Sequence, residues 1–125
     1  MARLGYRDQM THDTFAVRYH ETGDPAVVAR VEPLPVAAPG LGEVTVKLLA
    51  APIHPSDLGM LSGTYGRQAA LPAVGGREGV GEVTAAGSGV ALEVGSRVRM
   101  PDTGAWIGAV TVPAAGLTPM PGDLP

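Results

Sequence analysis

Gly42-Glu43-Val44-Thr45-Val46-Lys47-Leu48-Leu49-Ala50-Ala51-Pro52-Ile53-His54-Pro55-Ser56-Asp57-Leu58 sets a clean strand ahead of a helix start. Val44, Val46 and Leu48 alternate with Glu43, Thr45 and Lys47, the two-residue period of a strand with one face on a core. Then His54-Pro55-Ser56-Asp57 places a proline and two good cap residues before Leu58, Met60 and Leu61, and Gly63 supplies a stop. A helix of about two turns fits that spacing.

Working outward, Phe15, Val17 and Tyr19 alternate with Ala16, Arg18 and His20 as a half-buried strand ending at the turn Thr22-Gly23-Asp24-Pro25. Val27 to Val31 reads as a second strand. Pro33 to Gly40 reads as a loop, because its prolines lack donors and hold their predecessors extended. Beyond the helix, Val80 to Ala86, Arg97 to Met100 and Ala105 to Val112 read as further strands between glycine turns. Residues 1–13 are polar and unpatterned and are expected to form a flexible leader, with the domain over 14–125 and an extended, linker-like end from Leu117. Many short strands, glycine and proline turns and little helix predict a mainly β fold, a small barrel or sandwich with one or two short helices.

Composition supports one core and removes several functions. The 125 residues are 45% hydrophobic and 17% charged, on the folded side of the boundary with disordered chains. Only 4% are aromatic, so the core is built from small and β-branched side chains. A formal net charge of −3 with no Lys/Arg cluster gives no footprint for nucleic acid or for an anionic membrane surface. Without cysteine there is no disulfide, thiolate zinc site or cysteine nucleophile. Apolar runs stop well short of the ~20 residues that span a bilayer, and the first residues have no apolar signal region. A cytoplasmic location is the expectation.

The chemistry is concentrated in few places. No G-x-G-x-x-G spacing for a dinucleotide is present. Gly75-Gly76-Arg77-Glu78-Gly79-Val80-Gly81 puts four glycines around two charges at the mouth of a strand. It reads either as a barrel corner with a structural Arg77–Glu78 pair or as a loop contacting a ligand. His12, His20 and His54 lack the spacing of a zinc pair, and only His54 adjoins a plausible cleft. Ser56 and Asp57 read as caps. Tyr65, in Gly63-Thr64-Tyr65-Gly66, is a loop phenol whose ring, taken alone, packs on the core with its hydroxyl wet.

Leu49 to Leu58, Gly63-Thr64-Tyr65-Gly66, Leu71 to Gly81, Val94-Gly95-Ser96-Arg97-Val98 and Gly104-Ala105-Trp106 together resemble the medium-chain dehydrogenase/reductase superfamily. The likeness is to zinc-independent members, the mitochondrial-type trans-2-enoyl-thioester reductases and quinone oxidoreductases. It implies a GroES-like, partly open β-barrel that in full-length enzymes packs against a Rossmann domain binding NADPH. It also implies a catalytic role for Tyr65, and a substrate or cofactor cleft near His54, Ser56, Arg77, Glu78 and Trp106. A neutral phenol there can donate to the oxygen on which charge builds during hydride addition, or protonate the α-carbon.

This sequence departs from the pattern in two ways. His54 stands where the enoyl reductases usually carry asparagine and zinc enzymes a cysteine ligand, and Arg77 stands where zinc enzymes have histidine. Arginine cannot ligate zinc, so no metal is expected. The chain also reaches Pro125 where relatives enter the Rossmann domain. The resemblance therefore implies the substrate side of an oxidoreductase that reduces an activated C=C bond, with NADPH bound only when a Rossmann domain is supplied elsewhere, and no activity alone. The expected ligand is an acyl thioester or a quinone, with a Rossmann-domain partner or a homodimer. The alternative is a stand-alone GroES-like binding or assembly module, or a cofactor-free accessory protein, acting through dimerisation.

Overall fold

A computed structural model describes residues 10–101 and 104–122, with Met10 and Thr11 placed by backbone alone. Of the expected leader, residues 1–9 lie outside the described residues, while 10–13 form the start of β1 (Met10–Tyr19). The strand continues into α1 (Pro25–Val28) rather than directly into another strand. Asp24 accepts from the Ala26 N–H at 3.0 Å, and Pro25 at the first helical position brings its φ preset. The Val27–Val31 strand expected from sequence therefore gives way to one helical turn, and β2 (Arg30–Ala37) begins only after it.

β2 also overturns the first part of the loop expected over Pro33–Gly40, leaving only 38–40 outside a strand. Pro33 and Pro35 pair in register with Phe15 and Asp13 of β1, at the edge of a three-stranded sheet ordered β2-β1-β4. Proline is accepted in a strand when its missing donor costs no ladder bond. Two residues apart, both nitrogens point to the same side, so one free edge accommodates both.

β3 (Glu43–Ala50) and α2 (Pro55–Ser62) follow the expected boundaries, with Gly63 closing the helix at φ 80°. Then come β4 (Ala73–Val74), β5 (Val80–Ala86), β6 (Arg97–Arg99), β7 (Ala109–Pro113) and β8 (Thr118–Pro119). The second sheet is ordered β7-β3-β5-β6-β8, all antiparallel. Instead of trailing off as a linker, Leu117 is buried in the core and Thr118–Pro119 pair with β6. β7 starts later than expected, because residues 105–108 cross between the sheets. Val17 donates to the Trp106 carbonyl at 2.9 Å, Trp106 to Gly75 at 2.9 Å, and Ala16 bridges Ile107. The two sheets meet there as a partly open, mainly β barrel with two short helices, the architecture expected from the sequence.

Val44, Val46, Val83, Val98, Met100 and Leu117 form the main core. β3 lies between β5 and β7, so Thr45 is buried with its neighbours and must find a partner. It donates to the Thr111 hydroxyl at 2.7 Å, which in turn donates to the Ala37 carbonyl of the other sheet. Along β1 the half-buried pattern holds at Tyr19 but not at Phe15, which is 66% exposed, while Ala16 is buried where it meets the crossing segment.

Tyr19, Val28 and Leu61 form a second cluster beneath the helices. Burial raises the Tyr19 phenol above its ordinary value of 10.0. The unfolded chain thus loses this proton first as pH rises, and holds fewer protons than the folded one above pH 10. The contribution is complete below that pH and is lost toward the higher folded value. In urea denaturation, stability should fall more steeply above pH 10 in the wild type than in Tyr19→Phe; identical slopes would contradict the assignment.

Candidate functional site

The loop after α2 folds back on the helix. Gly63 adopts the left-handed turn, and the N–H groups of Thr64 and Tyr65 both reach the Gly59 carbonyl, at 3.0 and 3.1 Å. A Cβ at Gly59 would stand 3.2 Å from that of Tyr65, so the small helical residue lets the tyrosine seat there. Tyr65 is half-buried.

Opposite it, the glycine pair before Arg77 answers to Trp106. Gly76 has φ +93°, and a Cβ there would lie 2.5 Å from Trp106 Cδ1; one at Gly75 would strike the same ring. No side chain fits either position without moving the indole. This bend turns Arg77 toward Tyr65. Its Nη1 donates to the Tyr65 hydroxyl at 2.7 Å, with the guanidinium carbon 5.0 Å from the ring centroid. Since arginine only donates, the tyrosine oxygen accepts here and keeps its own proton for another acceptor.

Asp57 ties the two segments together. Its carboxylate is 1% exposed and takes the His54 N–H at 2.7 Å and the Arg77 N–H at 2.9 Å. One oxygen thus caps α2 and the other holds the glycine-rich loop. The expected Arg77–Glu78 pair is replaced by two others, Arg77 with Tyr65 and Glu78 with His54 Nε2.

His54, Ser56, Arg77 and Glu78 line one cleft of about 310 Å³, so the structure brings four of the expected cleft residues together. Tyr65 joins them through Arg77, which also lines a neighbouring cavity of about 420 Å³ beside Arg67 and Met60. Trp106 stands apart: its Nε1 donates to the Pro52 carbonyl at 3.1 Å, and its ring lines an apolar groove with Ile53 and Leu58. Two residues escaped the sequence reading. Asp57 looked like a cap alone, and nothing local signals its second partner. Arg99 lines the same cleft as His54, and only strand register brings it there.

Among the described residues no three His, Cys, Asp or Glu side chains converge as a metal site. His54 and Glu78 face a guanidinium, which has no lone pair for a cation, so these residues do not fit zinc. Among the described residues no helix is long and apolar enough to cross a membrane.

Residues 40–122 match the alcohol dehydrogenase GroES-like domain. The chain is 45% identical over 113 residues to a mitochondrial enoyl-[acyl-carrier-protein] reductase of Bos taurus, covering 88% of this chain and 30% of that protein. The chain thus spans about 30% of the length of these curated relatives. Among solved structures it resembles a mycobacterial quinone oxidoreductase, with 36% identity and a TM-score of 0.72 over 90% of this chain and 35% of that one. It also resembles Etr1p, solved with NADP and crotonyl-CoA, with 27% identity and a TM-score of 0.81 over 89% of this chain and 34% of that one. These curated relatives are named as mitochondrial proteins.

Proposed function

This chain belongs to the alcohol dehydrogenase GroES-like domain family, and from that premise we propose that it is the substrate-side domain of an NADPH-dependent oxidoreductase reducing the activated C=C bond of a 2-enoyl thioester or a quinone. The observation that carries this reading is the bond from Arg77 to Tyr65. It leaves the phenolic proton directed elsewhere and sets a positive charge beside it.

When a hydride adds to the β-carbon, negative charge gathers on the carbonyl oxygen. A Tyr65 hydroxyl donating to that oxygen, with Arg77 behind it, stabilises the charge as it forms, and Tyr65 can then pass a proton toward the α-carbon. Asp57, buried, holds the start of α2 and the loop bearing Arg77 in register. His54, Ser56 and Glu78 form the polar wall of the cleft. Trp106 shapes the loop that carries Arg77. The hydride comes from NADPH, which we assign to a Rossmann domain outside these 125 residues, and we expect no turnover from this domain by itself.

The test is to join this chain to the cofactor domain of the bovine relative and follow NADPH oxidation with crotonyl pantetheine and with benzoquinone. Oxidation of NADPH that depends on either acceptor supports the reading, and the faster of the two names the substrate class. A folded, NADPH-binding fusion that reduces neither would sink it. A second reading, a binding or assembly module, has the exposed Ile53 and Leu58 groove in its favour. It predicts a stable dimer that is blind to NADPH.

A further inference from the structure

We propose that the cleft between the start of α2 and the end of β6 is an oxyanion subsite, where Arg99 and Arg77 receive a carboxylate or phosphate carried by the substrate. The word substrate rests on the reductase reading above; the anion site itself does not.

Arg99 ends β6 opposite Val80 of β5, two residues past Glu78. Its side chain is exposed and forms no hydrogen bond or ion pair with any described residue. Glu78, the one carboxylate among the described residues lining the same cleft, is engaged by His54. Two guanidinium groups, those of Arg99 and Arg77, thus line the cleft beside a carboxylate that His54 already engages. Like charges lining one cavity repel, and an anion between them turns that repulsion into attraction. Contrast Arg18, which lies 3.6 Å from Glu32 on the opposite sheet.

The chemistry of the wall fits an oxyanion. Arg99 offers a planar fork of donors suited to a carboxylate or phosphate, and Ser56 adds a hydroxyl. About 310 Å³ leaves room for such a group. Because Arg77 lines this cleft and also donates to Tyr65, a ligand anchored by its anion here lies next to the proposed proton donor. An enoyl compound whose acyl chain ends in a carboxylate, or a thioester whose carrier arm bears a phosphate, presents the required charge.

Two matched ligand pairs test this on the chain itself, titrated by NMR: crotonamide against fumaric acid monoamide, and pantetheine against phosphopantetheine. The charged member of at least one pair should bind ~10-fold more tightly, as expected for charge-assisted hydrogen bonds. The pair that shows the difference tells whether the anion sits on the acyl chain or on the carrier. Arg99→Gln should abolish the preference and Arg99→Lys retain part of it, with thermal melts confirming that both fold. Equal affinities within both pairs, or a preference that survives Arg99→Gln, would overturn the proposal. A fusion that reduces crotonyl pantetheine while no anion binds leaves the reductase reading and removes the subsite. Anion binding through Arg99 with an inert fusion does the reverse.

Discussion

Tyr65→Phe, in a fusion of this chain with a relative's cofactor domain, should lower kcat/KM for a crotonyl thioester by about 10²–10³-fold while leaving NADPH affinity unchanged. That is the usual cost of removing one donor aimed at a developing oxyanion. The substitution deletes a single oxygen and keeps the aromatic ring, so the stack with Arg77 and the seat against Gly59 persist. What is lost is the hydroxyl that accepts from Arg77 at 2.7 Å and carries a proton beyond it. If the role is only structural, the effect moves to stability and the rate per folded enzyme stays near wild type. Steady-state kinetics with a parallel thermal melt separates the two, and an unchanged kcat/KM removes Tyr65 from the chemistry. A fall in kcat with KM unchanged is the specific signature of a contact made in the transition state.

Asp57→Ala should be the most destabilising single change near the site, by about 2–5 kcal/mol in urea denaturation, because two donors are left without acceptors in a buried position. Its carboxylate is 1% exposed and accepts from both His54 and Arg77. Asp57→Asn keeps the shape but can present only one carbonyl oxygen, so one N–H must face an amide NH₂. About 1–3 kcal/mol is expected for that variant. Stability equal to wild type in Asp57→Asn would mean that one of the two bonds is dispensable. The same variants should disturb the cleft, since the residue that caps α2 also holds the loop bearing Arg77 and Glu78. NMR shifts at Arg77 and Glu78 that follow the loss of stability would show that coupling.

Much of the barrel is visible in the one-dimensional pattern, where strong local signals agree with the tertiary outcome. The period-two alternation of β3 matches its observed bounds closely, and the proline, cap and glycine stop of α2 match theirs. Where the reading failed, a tertiary neighbour changed the rule. Pro33 and Pro35 looked like loop residues until β2 was seen at a sheet edge, where two missing donors cost nothing. Phe15 looked inward until the crossing segment at Ile107 put Ala16 inside instead. Val27 to Val31 looked extended because periodicity over five residues carries less weight than Asp24 and Pro25 acting as cap and first turn.

The family resemblance, the β architecture and the residue types of the candidate site were legible in the chain alone, because its motifs keep their order and glycine, proline and alternating apolar residues constrain the backbone locally. Tyr65, His54, Ser56, Arg77 and Glu78 could be named from their order along the chain. Which of them touch was decided only in three dimensions. Adjacency suggested an Arg77–Glu78 pair, whereas the fold gives Arg77 to Tyr65 and Glu78 to His54. The reason is that side-chain partners are chosen by what the packed sheets and helices bring within ~3 Å, and the bend at Gly76 turns Arg77 toward Tyr65. Arg99 is the clearest case, for it enters the cleft through strand register alone.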